Sequence, residues 1–392
     1  MDLSRYTIGF GIDASEHKSR ELGSSQTKNI KHVYIEPNNM YSLRELFNYE
    51  TLDFIYSENL INLTKFYKIL LQEWFYFCKT GGYIIIKFRK NKLLNLARLK
   101  EDIHRLFDDK LKIEEEFIGQ HNENFLALKK VKPALNTKDS IDKWSFGILT
   151  MKNEDERVDK EIDSIKQLNI PHYEILICGE YSGRYKNDKT VKSIKFDDAQ
   201  KPGWITRKKN LICQKANYEN MVVTHNKFIF EKEWYTGMKK YGNYFEVLSC
   251  IIHDTEGNRA GDWLTYGTDW ANIARIGMLD YRDWDKYGYI DGGLYIMKKS
   301  VWEKVKWDEK ILWGAAEDIF LSKEWHRRGI IQRINPYSNV TTLRWNHGKL
   351  RKFKFNKLRL GNLKNGRINL LWYLLKQNIK TILLGKNKYS YK

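Results

Sequence analysis

Apolar residues fall into two successive runs of alternating strand-like and helix-like spacing. In the first run, Tyr6–Ile12 reads as a strand ending in Asp13, His32–Ile35 as a short apolar run, and TLDFIY (Thr51–Tyr56) as a buried strand. Asn62–Cys78 carries apolar residues at helical spacing. After the turn Gly81-Gly82, the β-branched run YIIIKF (Tyr83–Phe88) predicts a strand covered on both faces. Leu93–Phe107 reads as a helix, and Phe117 with Phe125–Lys129 suggests a closing hairpin. Alternation of this kind predicts a parallel α/β sheet.

The stretch VKPALNTKDSID (Val131–Asp142) is polar, contains a proline and lacks periodicity, so the domain boundary is placed there, with residues 1–132 before it and 133–142 as a linker. A second α/β pattern, 143–349, then starts afresh. Trp144–Met151, Tyr173–Cys178, Asn220–Thr224 and Phe245–Ile252 read as strands, and Glu154–Leu168 and Thr206–Ala216 as helices. Tyr289–Met297 starts with a Gly-Gly turn and continues as a strand, and Gly314–Arg328 reads as a helix. No internal repeat is found. Within a final segment, 350–392, Ile368–Leu384 has the spacing of an amphipathic helix.

Composition changes the picture in a few places. A chain of 392 residues is long for one domain, and 42% hydrophobic with 14% aromatic content excludes a disordered protein. Thirteen Trp and 24 Tyr offer platforms of the kind that hold sugars, although any one ring is as well explained by core packing. The net charge is +19, and from Lys349 to Lys392 there are thirteen Lys or Arg and no Asp or Glu. That tail would be drawn to something acidic. An amphipathic helix bearing Trp372 and Tyr373 suits an anionic membrane surface, and the alternative is a helix packed on the core. The remainder is nearer balance, so nucleic acid is not expected as a partner. Cys78, Cys178, Cys213 and Cys250 form no CxxC pair and read as buried free thiols. With neither a signal peptide nor an apolar stretch of about 18 residues, the expected location is cytoplasmic, with peripheral membrane association through the tail.

The most informative stretch is WGAAEDIFLSKEWHRRG, Trp313–Gly329. A turn with Trp313 and Gly314 leads into a helix whose first turn carries Glu317 and Asp318. A helix N-terminus stabilises carboxylates, which also makes such acids ordinary helix-start residues. One carboxylate can accept a proton from an attacking hydroxyl while its neighbour holds another hydroxyl. Taken with YIDGGLYIMKKSVWEKV (Tyr289–Val305), this pattern resembles the GT-A glycosyltransferases, close in style to family 2, with an acceptor motif like that of the β-1,4-galactosyltransferases. The resemblance implies an inverting, hexosyltransferase-like enzyme. Asp318 would be the general base and Glu317 an acceptor contact. Gly292 and Gly293 would let the donor sugar approach the backbone closely.

The same resemblance covers the donor half. Thr150 and Glu154 stand where the family has its nucleotide-binding loop, and Gly179 and Glu180 where it sets an acid against uracil. Arg207, Lys208 or Lys209 would meet the diphosphate, against the alternative of a solvated basic face. Asp262 and Trp263 would touch the donor sugar. The family's acidic metal motif falls on His225-Asn226-Lys227, a departure, since His and Asn are poorer anchors for Mn²⁺ or Mg²⁺. Lys227 would partly replace the lost cation, and His347 matches a late histidine ligand. The implied partners are a nucleotide-sugar, in the first place a UDP-sugar, and a glycan or lipid-linked glycan acceptor.

From its second strand onward, the first segment resembles a class I methyltransferase. In GFGIDAS, Asp13 would hold the ribose of S-adenosylmethionine; LDFIYSENLI matches the fourth strand and CKTGGYIIIKF the fifth. The family's first strand and Gly-rich loop are not found before GFGID, so the expectation is an incomplete Rossmann-like domain that does not use S-adenosylmethionine. The rival functions are a methyltransferase acting on glycans and a non-catalytic glycan- or membrane-binding scaffold.

Overall fold

A computed structural model of the chain describes residues 3–15, 30–33, 43–44, 46–136, 139–199, 201–265 and 277–344. The chain divides into two compact units, Met1–Thr137 and Lys138–Lys392. The tail helix expected at Ile368–Leu384 and His347 lie outside the described residues. No helix among the described residues is long and apolar enough to cross a membrane.

Unit 1 contains β1 (Gly11–Asp13), β2 (Ile30–His32), β3 (Leu52–Glu58), α1 (Tyr67–Phe77), β4 (Cys78–Arg89), α2 (Leu96–Phe107), β5 (Leu111–Ile118) and β6 (Glu123–Lys130). Its sheet has the order β2-β1-β3-β4-β6-β5. The first four strands are parallel, and the expected hairpin closes the sheet antiparallel, so the sheet is mixed rather than wholly parallel. The first strand begins at Gly11, later than the apolar run suggests. Gly9 has φ +95 and a Cβ there would lie 2.5 Å from Asp53 Oδ2, so the chain turns against β3 before it can pair.

Unit 2 contains β7 (Lys143–Leu149), α3 (Asp155–Lys166), β8 (His172–Cys178), β9 (Val191–Ile194), α4 (Ile205–Lys215), β10 (Asn220–His225), β11 (Phe228–Phe230) and α5 (Trp234–Tyr241). It continues with β12 (Val247–Asp254), β13 (Leu264–Thr265), β14 (Gly277–Met278), β15 (Gly288–Tyr289), β16 (Leu294–Lys298), α6 (Lys299–Lys304), α7 (Glu317–Arg327) and β17 (Gln332–Thr342). The main sheet runs β11-β17-β12-β16-β10-β7-β8-β9, and β14-β13-β15 form a small antiparallel sheet. Strands β10, β7, β8 and β9 are parallel, whereas β16 runs antiparallel to both β10 and β12, again a mixed sheet. The apolar run Tyr289–Met297 is two strands. Tyr289 belongs to the small sheet and Leu294 starts β16, so Asp291-Gly292-Gly293 turns from one sheet to the other.

Strand β17 is not visible from periodicity because its sequence, QRINPYSNVTT, is polar and contains Pro336. The register against β12 jumps from Cys250↔Asn335 to Ile251↔Asn339, which places Pro336 in a bulge where its missing N–H costs no ladder bond. Helix α4 lies directly on β7: a Cβ on Gly147 would sit 2.1 Å from Ile212 Cγ2. This close approach sets the N-terminal half of α4 beside the carboxyl ends of β7 and β10, where open α/β sheets place their ligands.

Candidate functional site

Helix α7 begins after Ala316, which is in the left-handed region (φ 61) and offers no side-chain cap. Within the first turn, Asp318 Oδ1 accepts a hydrogen bond from Ile319 N at 2.8 Å. Glu317 is buried, 7% exposed, and meets Lys209 of α4 at 2.9 Å. Asp318 keeps partial solvent exposure. Burial pushes its carboxyl up to about 7, with the negative charges of Glu317 and then Asp291 adding to the effect. A carboxyl there takes up and releases a proton near neutrality, as a general base requires.

The Gly-Gly turn is seated against this pair. A Cβ on Gly292 would lie 2.5 Å from Glu317 Oε1, and one on Gly293 would lie 3.0 Å from Lys227 Cε and 3.1 Å from Asp291 Oδ2. The turn is tied to the end of β10 by the hydrogen bond from His225 N to the Gly293 carbonyl, 2.9 Å. Glu317, Asp318, Gly292, Gly293, Lys209 and Lys227 are thus drawn together. Asp291 joins them without having been singled out from the sequence, although an acid directly before a Gly-Gly turn was a usable signal.

On the neighbouring strand ends, the Asn226 side-chain amide donates to Thr150 Oγ1 at 3.2 Å. Gly179 has φ +131, and a Cβ there would lie 2.3 Å from the Thr150 carbonyl oxygen, so the loops after β7 and β8 touch. Glu180 follows, exposed. Glu154 bonds to Arg157 and lies 3.6 Å from Arg344. Trp313 is 46% exposed, with its backbone N–H on the Gly203 carbonyl at 2.9 Å, and Gly314 has φ +79.

Several residues expected at the donor have partners within the protein. Arg207 pairs with Glu309 at 3.0 Å. Lys208 is buried on the Thr150 carbonyl and Asp198, 2.7 Å each, and Lys209 on the Gly292 carbonyl and Glu317. Helix α4 turns Lys208 and Lys209 inward onto protein partners, whereas the Arg207–Glu309 pair stays partly exposed. Asp262 and Trp263 are fully buried. Asp262 accepts from Arg259, Tyr281 and the Trp263 N–H, and the Trp263 indole donates to the Asp283 carbonyl. Both belong to the core and present no surface to a sugar.

Of the three residues expected at a metal, the structure describes His225 and Asn226. Among the described residues no group of three His, Cys, Asp or Glu is placed to hold an ion. His225 Nε2 is buried without a partner, and burial followed by the positive charges of Lys209, Lys227 and Lys208 pushes its imidazole well below the usual range. Ammonium groups around the candidate ligand repel a dication, so His225 and Asn226 do not fit Mn²⁺ or Mg²⁺. In unit 1, Asp13 is buried at the end of β1, where Oδ1 accepts from the Ser15 N–H at 3.1 Å and from its hydroxyl at 2.5 Å, and Oδ2 faces His32 Nδ1 at 3.4 Å.

No protein-family model matches the chain, and no curated protein matches it. Solved structures of glycosyltransferases show partial similarity. A crystal structure of GalNAc-T7 with UDP, GalNAc and Mn²⁺ shares 12% identity over 52% of this chain and 44% of its own, with a TM-score of 0.39. S. aureus TarS shares 12% identity over 51% of this chain and 36% of its own, with a TM-score of 0.40. Its fragment 1–349 with UDP-GlcNAc shares 12% identity over 52% of this chain and 60% of its own, with a TM-score of 0.36. The chain therefore spans less than two thirds of each of these proteins.

Proposed function

We propose that unit 2 is a GT-A-type glycosyltransferase that moves a sugar from a nucleotide-sugar, a UDP-sugar in the first instance, to a glycan hydroxyl with inversion. The observation that carries this reading is the Gly292-Gly293 turn packed against Glu317 and beside Asp318. In the proposed reaction the acceptor oxygen attacks the anomeric carbon. Its proton passes to Asp318 as the new C–O bond forms, and the bond to the diphosphate breaks on the opposite face. Glu317 accepts a hydrogen bond from a second acceptor hydroxyl. Lys227, at the turn beside Asp291, supplies positive charge to the leaving diphosphate in place of a metal ion. For unit 1 we propose a methyltransferase-like fold that lacks the family's first strand. The direct parallel pairing of β1 with β3, and the antiparallel closing hairpin, support it.

The test is transfer from UDP-, GDP-, CMP- and dTDP-sugars, each with and without Mn²⁺, beside thermal-shift measurements that include S-adenosylmethionine. Wild-type transfer from one donor, lost in Asp318→Asn, is the expected result. Stabilisation by S-adenosylmethionine alone would overturn the transferase reading.

A further inference from the structure

We propose that Lys209 is a positioning residue that divides the labour between two neighbouring acids, holding Glu317 as the ion-paired carboxylate that binds acceptor and leaving Asp318 to take the proton. The proposal rests on the transferase reading. Consecutive residues on a helix point about 100° apart, so a single first turn can set one acid inward and the next toward the mouth of the site. Here the inward one is Glu317. Lys209 Nζ donates to Glu317 Oε1 at 2.9 Å and to the Gly292 carbonyl at 2.7 Å. The two side chains are 1% and 8% exposed, so water does not replace either partner. The ammonium also lies over the rings of Tyr295 and Trp307, 4.8 and 5.7 Å from their centroids. Gly292 closes the other side of Glu317, because any Cβ there would collide with Oε1.

Asp318 has no such clamp. Its carboxylate accepts from the Ile319 N–H. The charged groups facing it are Glu317 on its own helix, Asp291 on the turn and Lys209 on α4, with the Tyr295 phenol behind them on β16. A carboxylate fixed in place acts on its neighbour as a standing negative charge, which favours the protonated form of that neighbour. Two adjacent acids that sequence cannot tell apart thereby acquire different tasks.

The experiment compares full-length wild type, Lys209→Met, Glu317→Gln and the double variant. Thermal unfolding is followed at pH 5.5 and 8.5 without substrate, and transfer is followed across pH. In Lys209→Met the buried carboxylate loses its counter-charge. Its melting temperature is expected to fall more at pH 8.5 than at 5.5, and the double variant is expected to recover most of the loss. The acid limb of the transfer profile in Lys209→Met moves up by about 1 to 3 pH units, and KM for the acceptor rises while KM for the donor holds. A Lys209→Met protein that fails to fold while the double variant folds supports the same conclusion. A double variant as unstable as Lys209→Met, or a single variant with the wild-type pH dependence, makes Lys209 a packing residue and overturns the proposal. Wild type inactive with every donor overturns the transferase reading, and the division of labour with it, even where the stability pattern holds. A failed stability pattern in an active wild type overturns the proposal for Lys209 alone.

Discussion

Replacing Asp318 by Asn is expected to stabilise the protein while abolishing transfer. The carboxyl is raised from 3.8 to about 7 by burial and by the charges of Glu317 and Asp291. Between about pH 4 and 7 the folded state keeps a proton that the unfolded chain has released, so this group's contribution to stability is lost as the pH rises through that window. Each tenfold change in proton affinity between the folded and unfolded states corresponds to about 1.4 kcal/mol. The rise to about 7 therefore sets an upper limit of about 4 kcal/mol, which partial exposure of Asp318 reduces to about 2 kcal/mol. Asparagine is neutral and its carbonyl can still accept the bond from Ile319 N, so the variant escapes the penalty at high pH. For unit 2 unfolding on its own that corresponds to a rise in Tm of about 4 °C at pH 8.5, and to almost no difference at pH 4. Thermal unfolding of both proteins at the two pH values, with transfer assayed in parallel, measures it. A stability difference that does not change with pH would refute the electrostatic argument, whatever happens to activity.

Gly292→Ala forces a methyl group to within 2.5 Å of Glu317 Oε1, so the carboxylate must retreat from Lys209. We expect a loss of about 1 to 3 kcal/mol in chemical denaturation, together with weaker acceptor binding in steady-state kinetics. Trp263→Ala empties a core position and should cost about 3 to 5 kcal/mol; in whatever folded protein is recovered, donor KM should be unchanged, because the ring is buried in the core. Lys227→Met should weaken nucleotide binding by about 1.5 to 3 kcal/mol, the range for a hydrogen bond to a charged group. Calorimetry with UDP, with and without Mn²⁺, measures that loss.

Local sequence determined a good deal of this protein. The strands TLDFIY, YIIIKF, WSFGILTM, YEILIC and NMVVT and the helices α1 to α4 are legible because burial on both faces demands continuous apolar runs and amphipathic packing demands a 3.6-residue period; α5 was not read. The acids at the start of α7 were equally visible, since that position is itself a local signal. Strand β17 was hidden because its pairing is supplied by neighbours and by a bulge around Pro336, not by its own composition. The fates of the charged residues were not legible either. Lys209 meets Glu317 across 108 residues of sequence and Gly292 across 83, and Arg207 meets Glu309 across 102. Trp263 and Asp262 looked like surface contacts until the fold enclosed them. Which charge is paired, and which ring is buried, depends on what the sheet brings alongside, and a linear pattern carries no record of that. The sequence placed two acids side by side; only the tertiary structure set one against a buried lysine and left the other free to exchange a proton.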